Sequence, residues 1–314
     1  MVISVAIPCY KSAKTLPQVV SDIQGVFKAQ SKYDYQIILV NDYPFDDTFA
    51  VIKGLCEQDR RIVGVNLSRN YGQTSAKMAA LKFFKGDVLV FMDDDGQHPA
   101  EGVIPLAEKV LEGYDAVYAY FKNKHHNAFK KFTSSVNSKV LELNGTKARG
   151  VHISSFYALS AFAVKAYQDY KSPFPSMGGF LNSIAGRVTE IEMEHHDRIS
   201  GSSNYSLKKL LKLWLNGFTN FSIIPLRVIA FFGIFIAIVG FLFAAFVIIR
   251  KFVADVSVGY TSIVSIVLII GGIILFSLGF IGEYIGRIYM TISNLQQYKI
   301  REIINNKEEK VNEQ

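Results

Sequence analysis

The sequence predicts an α/β, Rossmann-like domain with a mostly parallel sheet, followed by two membrane-spanning helices. Three observations lead to this prediction. Short β-branched runs alternate with helical periodicity over residues 1–120, two long segments near the C-terminus carry no charge, and basic residues flank those segments. Half of the 314 residues are apolar (50%), which excludes a disordered protein. Two cysteines, Cys9 and Cys56, are too few for a disulfide scaffold.

The first 120 residues predict a β-α-β-α-β-α-β order. We expect helices to begin after Thr15, Asp47, Thr74 and Pro99, and strands at residues 3–7, 36–40, 62–66 and 88–92. Such alternation is typical of a parallel sheet covered by helices, which binds its ligands at the carboxyl ends of the strands. Polar segments follow at those ends, at residues 10–14, 41–47, 68–73 and 93–97.

Residues 228–249 and 256–282 are free of charged side chains. Each exceeds the ~20 residues that cross a hydrocarbon core, so two transmembrane helices are predicted; a buried hairpin of a soluble protein fits such long runs poorly. Basic residues outside the two spans outnumber those in the loop between them, so the positive-inside rule places the large N-terminal region in the cytoplasm. The clustered cations also favour an anionic membrane surface as partner, and no nucleic acid is expected.

An amphipathic segment precedes the first span. Within residues 206–227, Leu207, Leu211 and Trp214 share one helical face and lysines lie towards the other, which predicts a helix on the cytoplasmic leaflet; an amphipathic core helix is the alternative. The predicted organisation is a cytoplasmic domain at 1–205, this interface helix at 206–227, membrane helices at 228–249 and 256–282, and a cytoplasmic C-terminal tail at 283–314. Within this tail, the mixed charges of residues 299–314 predict a solvated or frayed segment.

The strongest chemical signal is the run of three carboxylates, Asp93, Asp94 and Asp95, directly after a predicted strand. In an extended segment, residues i and i+2 point the same way, so Asp93 and Asp95 can share one cation while Asp94 faces elsewhere. Hard oxygen ligands favour Mg²⁺ or Mn²⁺, typically shared with substrate phosphates. A solvated acidic turn is the alternative, which the position after a buried strand disfavours.

Seven segments carry a family resemblance: IPCYKSAKTLP, LVNDYPFDDT, NLSRNYGQTSAKMAAL, FMDDDGQHPAE, HHDRISGSSNYS, FSIIPLR and GEYIGRIY. Together they resemble the polyprenyl-phosphate glycosyltransferases of inverting family 2, over nearly the whole chain up to about Glu302. The resemblance implies a GT-A fold for the catalytic domain. It also implies an integral protein of the bacterial inner membrane that transfers one sugar, with inversion, from a nucleotide-sugar to a polyprenyl phosphate such as undecaprenyl phosphate, for cell-envelope glycan modification.

The resemblance implies roles for individual residues. It assigns a divalent metal, Mg²⁺ or Mn²⁺, to Asp93, Asp95 and Gln97, and catalysis to Asp93, Asp95 and Arg198. It assigns donor-nucleotide binding to Pro8, Tyr10, Asp42, Arg69, Gln73 and Asp94. It assigns the acceptor phosphate to Lys124, Lys130, Lys131, Arg198, Ser203 and Tyr205. Relatives form oligomers, and the glycines of the second span are compatible with a homo-oligomer.

Several positions depart from the family pattern, among them Lys11, Ser12, Asn41, Tyr43, Pro44, Phe121 and Asn204. They leave the sugar, the nucleotide and the acceptor geometry open, and they motivate an alternative: a non-catalytic, membrane-bound relative that binds nucleotide-sugars or acts as a scaffold. The acids at Asp93 and Asp95 favour the enzyme, because a site without catalysis has little reason to keep mutually repelling carboxylates. A processive polysaccharide synthase is disfavoured, since the chain lacks a QxxRW element.

Overall fold

The structure, a computed structural model, describes residues 1–121, 151–170, 172–173, 177–194, 224–253, 259–293 and 296–305. The chain divides into two compact units. Unit 1 consists of Met1–Gly217 with Gln296–Gln314, and unit 2 consists of Phe218–Leu295.

Unit 1 begins with the predicted alternation of strands and helices. Its first part contains β1 (Val2–Cys9), α1 (Leu16–Ala29), β2 (Asp34–Asn41), α2 (Thr48–Gln58), β3 (Ile62–Leu67), α3 (Gln73–Leu81), β4 (Val88–Phe91), a 3-10 turn (Ala100–Gly102) and α4 (Val103–Leu111). The described residues beyond these add β5 (Ala116–Phe121), β6 (Tyr157–Ser160), α5 (Ala161–Gln168), α6 (Met177–Ile184), β7 (Val188–Met193) and β8 (Ile300–Ile304). The β-α-β-α-β-α-β order expected for the first 120 residues is confirmed.

Within the described residues, the eight strands form one sheet in the order β7-β5-β6-β4-β1-β2-β3-β8. The neighbours β4, β1, β2 and β3 are mutually parallel, with Ala6 opposite both Ile38 and Phe91. Strands β6 and β8 run antiparallel to their neighbours, whereas β5 and β7 are parallel to each other. The mostly parallel α/β sheet predicted from the sequence is therefore present, and the carboxyl ends of β1–β4 lie at one edge.

Apolar side chains cover both faces of this sheet. On one face Ile3, Val5 and Ile7 of β1 pack with buried residues of α1, α2 and α4. On the other face Ala6 and Phe91 pack with α3, α5 and α6. The strands read as nearly continuous apolar runs because both faces are buried.

The segment after the second predicted membrane span corrects one expectation. The sequence predicts a solvated or frayed segment at residues 299–314, but strand β8 within it pairs antiparallel with β3 across a bulge at Asn66/Leu67. Ile303 and Ile304 pack against the opposite faces of the sheet, and Lys53 pairs with Glu302 at 2.8 Å. Asn305, in the left-handed region at φ 61°, donates from Nδ2 to the Cys56 and Ile62 carbonyls at 2.6 and 3.0 Å.

Unit 2 contains two long helices, α7 (Ile224–Val253) and α8 (Tyr260–Ile292). They include most of the two predicted spans, although α8 continues ten residues beyond position 282 and carries an ion pair between Arg287 and Glu283 at 2.7 Å. Among the described residues, Ile270–Ile292 is the one segment long and apolar enough to cross a membrane, and Ile229–Gly240 is a shorter apolar stretch. The predicted interface helix at 206–227 lies outside the described residues up to position 223.

Strand β8 predicts a sharp difference between two truncations. A chain ending after Lys299 should melt at least about 5 °C below the full-length protein, because it loses the packing of Ile300, Ile303 and Ile304 and leaves the edge of β3 unpaired. A chain ending after Asn305 is the matched control and should melt like the full-length protein. The two cysteines are buried in unit 1, so melting followed with a thiol-reactive dye reports on this unit. Equal melting temperatures for the two truncations would contradict a stabilising role for β8.

Candidate active site

The parallel strands bring four of the predicted polar segments to one edge of the sheet. Pro8 is buried in β1 beside Val40, and Tyr10, just beyond β1, is 42% exposed. Hydrogen bonds link the loop after β1 to the loop after β4, and the loop after β3 to those after β2 and β4. The predicted donor-side residues of these loops are therefore close together.

Asp94 fastens the loop after β1 to the loop after β4. Its Oδ2 accepts the backbone N–H of Tyr10 at 2.8 Å, and its backbone carbonyl accepts the Thr15 hydroxyl at 2.7 Å. Burial raises the pKa of the Asp94 carboxyl to about 6, against the opposing effect of the Tyr10 N–H. The Asp94 carboxylate is therefore turned towards the end of β1.

Asp42 holds the loop after β3. Its Oδ1 accepts the Tyr71 N–H at 2.7 Å and its Oδ2 accepts the Gly72 N–H at 2.8 Å. Gly72 has φ 91°, a conformation that suits glycine, and α3 follows directly. Burial raises the pKa of Asp42 to about 6, and the two N–H groups oppose that rise. Asp42 thereby shapes the loop that carries Arg69 and leads to Gln73.

Asn41 shows how one departure from the family pattern is accommodated. Its Nδ2 donates to Asn66 Oδ1 at 3.0 Å and to the Tyr43 carbonyl at 3.2 Å, and the side chain is fully buried. An aspartate at this position would lack the donor that both contacts need. Asn41 and Asn66 therefore form a matched pair at the ends of β2 and β3.

Asp93 sits in a hydrogen-bond network. Gln73 Nε2 donates to its Oδ1 at 2.8 Å, and Ser155 Oγ donates to its Oδ2 at 2.6 Å. Its backbone N–H donates to Nδ1 of His98 at 3.0 Å, so neutral His98 carries its proton on Nε2, which faces Ser155 Oγ at 3.4 Å. The buried His98 ring stacks on Phe156 at 4.9 Å between centroids. These contacts fix both ends of the Asp93 residue.

Asp95 and Gln97 lie in the turn that follows. The Gln97 N–H donates to Asp95 Oδ1 at 3.1 Å, and Gly96 between them has φ 75°. No group of three His, Cys, Asp or Glu side chains is placed to hold an ion in the described parts of the chain. The acids could thus supply only part of a coordination shell. This fits Mg²⁺ or Mn²⁺, which use one or two carboxylates and complete the shell with substrate phosphates and water.

Aromatic rings line the ends of β1 and β2. Tyr10 packs edge-on against Tyr43 at 5.3 Å, and Tyr43 packs against the 72% exposed Phe45 at 5.7 Å. Lys11, at φ 57°, places Nζ 4.7 Å from the Tyr43 ring centroid. Arg69 lies over the Tyr71 ring at 4.8 Å. Two departures from the family pattern, Lys11 and the residue at position 43, thus pack against each other.

The predicted acceptor-side residues cannot be placed in the same way. Phe121 is described, and its ring stacks on His98 at 5.9 Å between centroids. The remaining acceptor-side positions lie outside the described residues: Lys124, Lys130, Lys131, Arg198, Ser203, Asn204 and Tyr205.

Sequence reasoning missed three residues of this site: Lys77, His98 and Ser155. Lys77 is buried on α3 and donates to the Ser155 carbonyl at 3.2 Å. A signal for Lys77 was present, because it is the one charged residue in the otherwise uncharged run 73–81. His98 stands within the acidic motif, where an aromatic base next to carboxylates is a further signal. Nothing in the sequence separates Ser155 from its neighbour Ser154.

Comparison with known proteins defines the family. Residues 4–167 match the family described as Glycosyl transferase family 2, and residues 224–288 match the one described as GtrB C-terminal hairpin. The chain belongs to glycosyl transferase family 2. The resemblance drawn from the sequence motifs is thus confirmed, and so is the enzyme class.

Two relatives are similar over most of their length. The undecaprenyl-phosphate 4-deoxy-4-formamido-L-arabinose transferase of Aeromonas hydrophila is 31% identical over 313 residues, covering 96% of this chain and 94% of the relative. The SfII prophage-derived bactoprenol glucosyl transferase of Shigella flexneri is 30% identical over 311 residues, covering 96% of this chain and 98% of the relative. Mannosyl-3-phosphoglycerate synthase from Rubrobacter xylanophilus, a solved structure, has a TM-score of 0.48 and 15% identity, covering 69% of this glycosyltransferase and 71% of that chain.

The two bonds of Asp42 predict the effect of replacing it. Asp42→Asn keeps one acceptor oxygen and turns an NH₂ group towards a backbone N–H. The free energy of unfolding should therefore fall by about 1–3 kcal/mol. The melting temperature of unit 1 should fall accordingly. Asp47→Asn is the control, because the Asp47 side chain makes no cap bond to α2. If the two variants melt alike, the carboxylate of Asp42 is not what holds the loop.

The raised pKa of Asp94 predicts a pH dependence of stability. A carboxyl with a pKa of about 6 in the folded state and 3.8 as its ordinary value binds more protons folded than unfolded, so the free energy of unfolding falls as pH rises from about 4 to about 6. Asp94→Asn keeps an oxygen for the Tyr10 N–H and cannot ionise. Scanning calorimetry should therefore show a shallower decline for this variant across that pH range. Parallel curves for the two proteins would refute the prediction.

Proposed function

We propose that this glycosyltransferase moves a single sugar from a nucleotide-sugar donor to a polyprenyl phosphate, with inversion, at the cytoplasmic face of a bacterial inner membrane, and that a divalent cation, Mg²⁺ or Mn²⁺, is required. The single observation that carries the proposal is that two relatives named as transferases acting on undecaprenyl phosphate or bactoprenol are similar over 94% and 98% of their length, catalytic unit and hairpin together.

The donor site follows from the loops at the carboxyl edge. We place the nucleotide beside Pro8, Tyr10, Asp42, Arg69, Gln73 and Asp94. Tyr10 offers an exposed ring for stacking. The carboxylates of Asp42 and Asp94 accept backbone N–H groups and thereby hold the loops. Arg69 is exposed on the Tyr71 ring, where a guanidinium can reach a phosphate.

The metal is proposed at Asp93 and Asp95, with Gln97. A bound divalent cation would stabilise the negative charge that develops on the departing nucleoside diphosphate. The protein's part is to hold the carboxylates: Gln73 and Ser155 each bond one oxygen of Asp93, and the Gln97 N–H bonds Asp95. Each Asp93 oxygen keeps a second lone pair for the cation.

A phosphate acceptor requires less catalytic assistance from the protein than a sugar hydroxyl acceptor does. A phosphate monoester has a second pKa of about 6, so it is already an anion near neutral pH and needs no strong general base. Positive charge is needed to align two anions for in-line attack. We assign this to Lys124, Lys130, Lys131 and Arg198, with Ser203 and Tyr205 beside them.

The membrane arrangement is proposed from unit 2. Side chains on both helices are exposed and apolar, among them Phe231, Leu242, Leu275 and Phe276. Helix α7 has 30 residues and α8 has 33, each longer than the ~20 residues that span a hydrocarbon core. We propose that both cross the membrane, with the basic residues at their outer ends in the cytoplasm.

Transfer of label into lipid tests the proposal. Membranes containing the protein would receive a panel of radiolabelled nucleotide-sugars and undecaprenyl phosphate, with and without chelator. One donor should label the lipid phase, and chelation should abolish the transfer. Asp95→Ala should lower kcat/KM about 100-fold or more, whereas Asp47→Ala should not.

The contrary outcomes separate the parts of the proposal. Full transfer by Asp95→Ala, or in the presence of chelator, would remove the metal from the mechanism. No labelled lipid from any donor, with a folded protein that binds Mn²⁺, would favour the non-catalytic binding protein instead.

A further inference from the structure

Lys77 is a buried amine that the proposed reaction does not use. It is 6% exposed on α3, among the buried residues Ala76, Met78 and Ala79. Burial lowers the pKa of Lys77, and the nearby Asp93 carboxylate opposes that shift. Burying an amine costs free energy unless it is well bonded, so an apolar side chain would suit this position better if packing were all that it provided.

The contacts of Lys77 lead towards the site. Its Nζ donates to the Ser155 carbonyl at 3.2 Å and lies 5.3 and 5.0 Å from the ring centroids of Phe91 and Tyr157. The rings hold the amine from the sheet side, since Phe91 ends β4 and Tyr157 begins β6. Lys77 therefore fixes the backbone of the residue two positions before β6.

Ser155 connects this amine to the carboxylate. Its carbonyl is held by Lys77, and its hydroxyl donates to Asp93 Oδ2 at 2.6 Å. The same hydroxyl lies 3.4 Å from Nε2 of His98. The Asp93 N–H donates to Nδ1 of His98 and thereby fixes its ring. Ser155 thus cannot move without disturbing its bond to Asp93.

The result is one defined orientation of the Asp93 carboxylate. Ser155 bonds one oxygen and Gln73 the other, which stops rotation about the last side-chain torsion. One lone pair of each oxygen remains available. A carboxylate held in this way loses less conformational entropy when it binds a cation, which is how residues behind a metal ligand increase metal affinity.

We propose that Lys77 and Ser155 are positioning residues that act in series, Lys77 through Ser155, to hold Asp93 in the orientation that receives the divalent cation. This inference rests on the proposed metal at Asp93. It differs from a purely structural role for Lys77, which would alter the stability of unit 1 and leave metal affinity unchanged.

Binding of Mn²⁺ alone to the full-length protein tests the inference, with free Mn²⁺ followed by electron paramagnetic resonance. Ser155→Ala removes the hydroxyl, and Ser155→Thr keeps it. Lys77→Met removes the amine at similar length. Ser154→Ala and Lys82→Met are matched controls, because Ser154 Oγ accepts the Phe156 N–H in its local turn and Lys82 lies over Tyr298 at the end of α3. Dye-monitored melting establishes that each variant is folded.

We expect Ser155→Ala and Lys77→Met each to raise the Kd for Mn²⁺ about tenfold or more, as changes behind a metal ligand do. Ser155→Thr and both controls should bind within about twofold of the unchanged protein. Because the two residues act in series, the double variant should bind no more weakly than Ser155→Ala alone.

The remaining outcomes are distinguishable. If Asp93→Asn loses Mn²⁺ binding while Ser155→Ala and Lys77→Met retain it, the positioning role is overturned and the metal site stands. If Asp93→Asn also binds Mn²⁺ normally, the metal assignment fails and the positioning role fails with it. If the losses of Mn²⁺ affinity add in the double variant, the serial arrangement is overturned. If Ser155→Ala raises the Kd and Lys77→Met does not, Lys77 has no positioning role.

Discussion

Carboxylates that accept backbone N–H groups hold the functional edge of the sheet together. Asp94 joins the loops after β1 and β4, and Asp42 shapes the loop after β3. Both side chains are buried, and burial raises the pKa of each to about 6. The unfavourable desolvation of two charges is tolerated because the bonds fix loops that no regular secondary structure could hold at this edge. The remaining site residues depend on the positions of these loops.

The same edge concentrates negative charge. Three consecutive carboxylates follow β4. The Lys77 amine is near Asp93, but its hydrogen bond goes to the Ser155 carbonyl. This charge favours the divalent cation proposed above, because the attraction increases in a partly buried setting of low dielectric constant. The neutral amide of Asn41 adds no further charge at the end of β2, where its bonds to Asn66 and Tyr43 satisfy it internally.

The sequence predicted the parts of the fold that repeat a local pattern. Strands β1–β4 and the helices between them follow from apolar periodicity, and the acids at 93–95 follow from their place after a strand. Strand β8 could not be predicted from a local pattern, because a bulge interrupts its alternation and its partner β3 lies more than 230 positions earlier in the chain. Ser155 was equally hidden: its bond to Asp93 spans 62 positions, and only the pairing of β6 beside β4 brings the two together. Long-range pairing is the information that a local pattern lacks.

Unit 1 is built from two stretches of the chain, one before and one after the helices of unit 2. The chain leaves unit 1 after Gly217 and re-enters it at Gln296, and the re-entering segment donates more than a strand. The Lys299 carbonyl accepts the N–H of Ser68, the first residue of the loop that carries Arg69, and Gln297 bonds the carbonyl of Tyr170 at 3.2 Å. A chain cut before α7 would leave β3 as an open, apolar sheet edge and free one end of the loop that carries Arg69. Unit 1 is therefore complete only in a chain that also contains α7 and α8.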